Sequence, residues 1–146
     1  MKAARTDRRR TVRTMNVDEA LIAVFIGAMN ANQHVAREEL ARAHHLIWST
    51  RRFRRKSGET VGRLIQRMKR LLEDADDQAT VLEPASRAIP SGMRRSAFAV
   101  VADLLLADGR IDARERRFLQ RLAASLKIPA AAAANVVDVM LLKNRL

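Results

Sequence analysis

The chain has 146 residues, of which 48% are apolar, enough for one compact domain with a substantial core. It contains no cysteine, which excludes disulfides, zinc–thiolate sites and thiol chemistry, including any reduction of an oxidant through its own thiols. The 28 Lys and Arg against 16 Asp and Glu give a formal charge of +12, which attracts anionic partners (nucleic acid, lipid headgroups, acidic proteins) but says little about the fold.

With 5 Gly, 3 Pro and only 3% aromatics, the composition favours helix over sheet. No apolar run approaches the length of a transmembrane helix, and the basic N-terminus lacks a signal-peptide core or cleavage pattern. A cytoplasmic protein is expected, with the charge allowing a peripheral place at a membrane.

Residues 1–14 carry Lys2, Arg5, Arg8, Arg9, Arg10 and Arg13 without apolar periodicity and read as a basic flexible tail; residues 15–146 read as a single helical domain. The first helix is expected from Val17-Asp18-Glu19, acidic residues that suit a positive helix end, and Leu21, Ile22, Phe25, Ile26 and Met29 give it one core face. Asn30 to Gln33 mark a turn, and a second helix is predicted from about Val35 to Thr50, with Leu40, Ala43, Leu46, Ile47 and Trp48. After the basic run Arg51-Arg52-Phe53-Arg54-Arg55-Lys56, a third helix fits residues 59–75. Its stripe of Val61, Leu64, Ile65, Met68, Leu71 and Leu72 opposes Arg63, Arg67 and Arg70. Residues 76–92, with Pro84, Pro90 and Gly92, read as a connector holding one short helix near Ala79 to Leu82.

Residues 97–129 form the most ordered pattern: helix, tight acidic turn, helix. Phe98, Val101 and Leu105 repeat at helical spacing until Asp108-Gly109, where Gly admits the left-handed backbone that ends helices. Asp112 and Glu115 have the spacing of an N-cap and its capping partner, and Phe118, Leu119, Leu122 and Leu126 continue to Pro129. A last helix is expected over about Ala130 to Lys143. This stretch resembles the TerB-like (tellurite-resistance TerB) family, small all-helical proteins in which an apolar helix runs into A-D-G and an acidic residue opens the next helix. Ala107-Asp108-Gly109, Ile111 and Glu115 carry the match, and Leu126-Lys127-Ile128 is similar to the family's L-x-I helix end.

An offset of 76 residues places Ala23-Val24 on Ala99-Val100, Ala31 on Ala107, Val35 on Ile111, Glu39 on Glu115 and Ser49 on Ser125. The expectation is an all-α TerB-like bundle of two pseudo-repeated three-helix units, about residues 17–68 and 93–144. Such a duplication is what the resemblance implies.

The acidic turn admits two readings. Asp108, Asp112 and Glu115 offer carboxylate oxygens suited to a hard cation, calcium or magnesium, and the resemblance implies divalent-metal binding at such clusters. Asn32 and Glu39 are the incomplete first-half counterparts. The other reading is a helix C-cap followed by a capping box, a matter of about 1 kcal/mol. The turn is no EF-hand, since Arg110, Ala113 and Leu119 stand at ligand or glycine positions, and the arginines around it oppose a cation. Asp103, alone in an apolar helix, is expected at the edge of the buried face paired with an Arg, and its counterpart Gly27 suggests close helix packing.

His44 and His45 are adjacent and point about 100° apart on a helix, and His34 with Glu38 makes only a two-ligand pair, so no histidine metal site is expected. The chain has no nucleophile elbow, Gly-rich phosphate loop or H-E-x-x-H, and the one Ser/His spacing, His45 with Ser49, lacks an oxyanion element. The chain reads as no enzyme. The leading reading is a non-enzymatic helical binding or adaptor protein with a protein partner; by resemblance it belongs to a bacterial chemical-stress, tellurite-resistance-like response. The alternative is a basic protein that binds nucleic acid or anionic lipid through its tail and Arg51, Arg52, Phe53, Arg54, Arg55 and Lys56, the cations meeting phosphates and Phe53 stacking. The amphipathic 59–75 helix suggests a membrane-surface element or, more simply, a core helix.

Overall fold

The computed structural model describes residues 15–31, 44–45 and 47–146, and among them there is no strand. The helices are α1 (Val17–Ala31), α2 (Arg51–Arg54), α3 (Gly58–Glu73), α4 (Ala79–Ala88), α5 (Ser91–Leu105), α6 (Ala113–Ser125) and α7 (Ala130–Lys143). Residues 44–45 and 47–49 are also helical and lead towards α2. The fold is all-α.

The bundle is organised around α1. Every residue from Glu19 to Ala28 is buried, and Ala20, Ile22, Ala23 and Val24 have no exposed surface. A helix that is apolar all round belongs inside a bundle rather than on its face. α4, α3, α5 and α6 all pack against it. The expected single core face of α1 is therefore an underestimate: the run LIAVFIGAM contains no polar residue to mark an outer side. At Gly27, an added Cβ would stand 2.6 Å from Leu82 Cδ2, so the missing side chain lets α4 approach. The close packing expected at Gly27 is present.

The stretch expected to be a connector contributes a structural layer. α4 runs to Ala88, six residues past the predicted Leu82, with Pro84 inside it and Val81, Ala85 and Ser86 buried. Ser86 Oγ donates to Leu82 O at 2.8 Å, which satisfies the buried hydroxyl within the helix. α3 begins at an N-cap on Ser57, which accepts from Thr60 N at 3.2 Å. Its Val61, Met68 and Leu72 are buried, and Leu64, Ile65 and Leu71 pack on the core, so the stripe read as core or membrane-facing lies in the bundle.

α5, α6 and α7 form a second layer, with Phe98, Val101, Ala102 and Leu105 turned inward from α5. Asn32, Gln33 and Glu39, which would define the first-half turn, lie outside the described residues, as do the tail 1–14 and His34. The superposition of the two halves thus stays an expectation of the sequence pattern. Their first helices play unequal parts, α1 enclosed on all sides and α5 buried mainly along one face.

Candidate functional site around the α5–α6 turn and α6

The turn between α5 and α6 is built as its residues suggest. Gly109 has φ +77°, the left-handed region that disfavours side chains, and its N–H donates to Leu106 O at 2.9 Å. An added Cβ would lie 3.1 Å from Asn144 O, so the turn is also packed against the end of α7. Asp108 Oδ1 accepts from Arg110 N at 3.1 Å, closing the loop. Asp112 Oδ1 accepts from Glu115 N at 2.8 Å and Glu115 Oε1 accepts from Asp112 N at 3.0 Å, a complete capping box for α6. α6 ends in the motif its L-K-I signature encodes. Lys127 is left-handed at φ 56°, its N–H donates to Ala124 O at 3.0 Å, and Ile128 N donates to Ala123 O at 2.9 Å. Leu126 and Ile128 are buried on either side of it.

A second box of the same form opens α1. Asn16 Oδ1 accepts from Glu19 N at 2.9 Å, and Glu19 Oε1 accepts from Asn16 N at 3.5 Å. The sequence reading placed the helix start correctly but overlooked this pair, although N-x-x-E is itself the readable signal. Both glutamates are buried, Glu19 at 7% and Glu115 at 6% exposure. Arg67 Nη1 lies 3.7 Å from Glu19 Oε2, whereas Glu115 has no ion-pair partner among the described residues.

Burial pushes the Glu115 carboxyl up to about 7 from its ordinary 4.5; the N–H of Asp112 opposes the rise, and the nearby charges of Asp112 and Asp108 add to it. A carboxyl that keeps its proton in the native state contributes stability that is fully present below its unfolded pKa and lost as pH rises through the native value. The melting temperature of the native chain should therefore fall, relative to Glu115→Gln, between about pH 4.5 and about pH 7. A constant difference between the two across that window would show that Glu115 titrates normally.

For a divalent cation the donor set fits poorly. One oxygen of each of Asp108, Asp112 and Glu115 is already engaged by a backbone N–H, and among the described residues no group of three His, Asp or Glu is placed to hold a metal. Asp103 lies at the edge of the buried face as expected, but its partners are Lys143 Nζ at 2.9 Å and Asn144 Nδ2 at 3.0 Å rather than an Arg. It ties the end of α7 to α5. His44 and His45 are exposed.

The basic run 51–56 lacks the stacking aromatic expected of it. Phe53 is 1% exposed and belongs to the core, so no stacking surface exists there. Arg52 Nε bonds Asp18 Oδ1, and Lys56 Nζ lies 3.0 Å from Asp18 Oδ2. Burial raises the Asp18 carboxyl, but hydrogen bonds and charge from Arg52 and Lys56 outweigh it and hold the group below its ordinary range. The run is a clamp between α2 and the start of α1; Arg51, Arg54 and Arg55 remain exposed.

Two concave surfaces flank α6, and neither is legible in the sequence, because each is made by the packing of separate elements. Between α6 and α7 lies an apolar groove of about 440 Å³, with Phe98, Leu119, Ala123, Ala133 and Val137 among its lining residues. Small side chains on the facing helices leave the space. Arg116 and Asp138 stand at this groove and form no ion pair among the described residues. On the other side, Arg114, Arg117, Phe118 and Arg121 meet Asn30 and Ala31 around an open hollow of about 760 Å³.

The helical order, the capped acidic turn and the L-K-I end agree with the family comparison: the model described as Tellurite resistance protein TerB matches residues 18–137. The chain belongs to the TerB family. No curated protein and no solved structure gave a match. The TerB match runs from the first turn of α1 into α7, so it contains the hollow at Phe118 and all of the groove but Asp138. No helix among the described residues is long and apolar enough to cross a membrane.

Proposed function

We propose that this TerB-family chain is a non-enzymatic binding module, an adaptor of a bacterial chemical-stress response that holds a protein partner in the groove between α6 and α7. The groove carries the reading: it is apolar, lined by alanines that leave room for a partner's side chains, and bounded by Arg116 and Asp138, which form no ion pair among the described residues. The complementary occupant is an amphipathic helix whose apolar stripe enters the groove, with an acidic residue towards Arg116 and a basic one towards Asp138. Ala134 lines the groove and is exposed, so Ala134→Trp fills it without entering the core. The chain should retain a protein partner from cells under chemical stress, and Ala134→Trp should lose it while melting within a few degrees of the parent. Equal retention by both chains would overturn the groove reading.

A divalent cation at the acidic turn is the second reading, favoured by the crowding of Asp108 and Asp112 about Glu115, which a cation would relieve. It would have to use the carboxylate oxygens left free by the caps. If it holds, millimolar calcium or magnesium raises the melting temperature and Asp108→Asn abolishes the rise. An unchanged melting temperature leaves the turn a cap.

A further inference from the structure

Part of the +12 charge stands, among the described residues, where local electrostatics disfavours it. Arg114, Arg116 and Arg117 occupy the first turns of α6, at the positive end of the helix dipole, where cations are disfavoured. Arg114, Arg117 and Arg121 lie three and four residues apart, so they share one face and repel one another. All three are exposed, and none has an ion-pair partner among the described residues. By contrast, Arg52, Lys56, Arg63, Arg67 and Lys143 are each paired with a carboxylate. An arrangement that works against its own helix and has no ion-pair partner among the described residues suits an anion from outside the chain.

The same three arginines surround the open hollow at Phe118, whose half-buried ring lines it together with the amides of Asn30 and Gln120. We propose that this hollow binds single-stranded nucleic acid, with phosphates on Arg114, Arg117 and Arg121 and a base against Phe118. The three Cα positions span about 10 Å of helix axis, the reach of about three successive phosphates of one strand. Guanidinium forks suit phosphate oxygens, and an aromatic ring offers any base a stacking face without reading its sequence. Asn30 and Gln120 carry both donors and acceptors for a base edge.

The test is fluorescence anisotropy of a labelled 12-nucleotide oligothymidine titrated with the full chain at several salt concentrations. Binding should weaken steeply with salt, and the triple variant Arg114→Gln, Arg117→Gln, Arg121→Gln should lose at least about ten-fold in affinity with a shallower salt slope. The control Arg51→Gln, Arg54→Gln, Arg55→Gln removes the same charge and should bind within about two-fold of the parent. Phe118→Leu keeps the apolar packing and should weaken the oligonucleotide about five-fold while leaving inorganic polyphosphate unaffected. Equal losses in the two triple variants would show a diffuse charge effect and overturn the site. So would binding to vesicles of phosphatidylglycerol with none to the oligonucleotide.

Discussion

Truncating Phe53 to alanine is expected to cost about 3–5 kcal/mol of stability, the usual range for a buried aromatic. Its side chain is 1% exposed and stands among the largest fully buried groups of the core. The effect follows from position alone: the exposed Arg51, Arg54 and Arg55 around it make the segment look like a surface, but α2 is a single turn that turns Phe53 inward while Asp18 holds Arg52 and Lys56 outside. Chemical denaturation of Phe53→Ala measures the loss directly. Phe53→Leu, which keeps most of the volume, should cost much less. A Phe53→Ala chain as stable as the parent would mean that the ring is at the surface and the basic run is an interaction segment after all.

The second large effect belongs to α1. Ile22→Ala should cost about 2–5 kcal/mol, because Ile22 is completely enclosed by α1's neighbours and the surrounding helices cannot close the cavity. Ile65 of α3, an isoleucine on the sequence's clearest amphipathic stripe, is only half-buried, and Ile65→Ala should cost well under half as much. Denaturant midpoints of the two variants decide between them. A larger loss at Ile65 would place the centre of the bundle at α3.

The contrast between these two helices explains how far the sequence could be read. α3 shows its role through alternation of apolar and charged residues, and its start, end and core face were all legible to within two residues. α1 shows less because it is buried all round: with no polar side, periodicity cannot say which faces are covered, and an apolar run only suggests burial in general. α4 was shortened by the rule that proline ends a helix, a rule overridden here by burial of Val81, Ala85 and Ser86 on either side of Pro84. The α5–α6 turn was read almost completely, since a left-handed Gly109 and a D-x-x-E capping box are local devices whose chemistry lies within a few residues. Phe53 was misread because a basic neighbourhood masks a single inward residue. The groove at Ala134 and the hollow at Phe118 depend on which helices lie side by side, and no local pattern carries that.

Amide hydrogen exchange of the chain, alone and with its captured protein partner, tests the account most directly. It predicts that α1 exchanges only through global unfolding in both states and that the partner adds protection along α6 and α7, at the groove lined by Leu119 and Ala133. Rapid exchange in α1, or protection gained instead across residues 51–56 and α3, would contradict it.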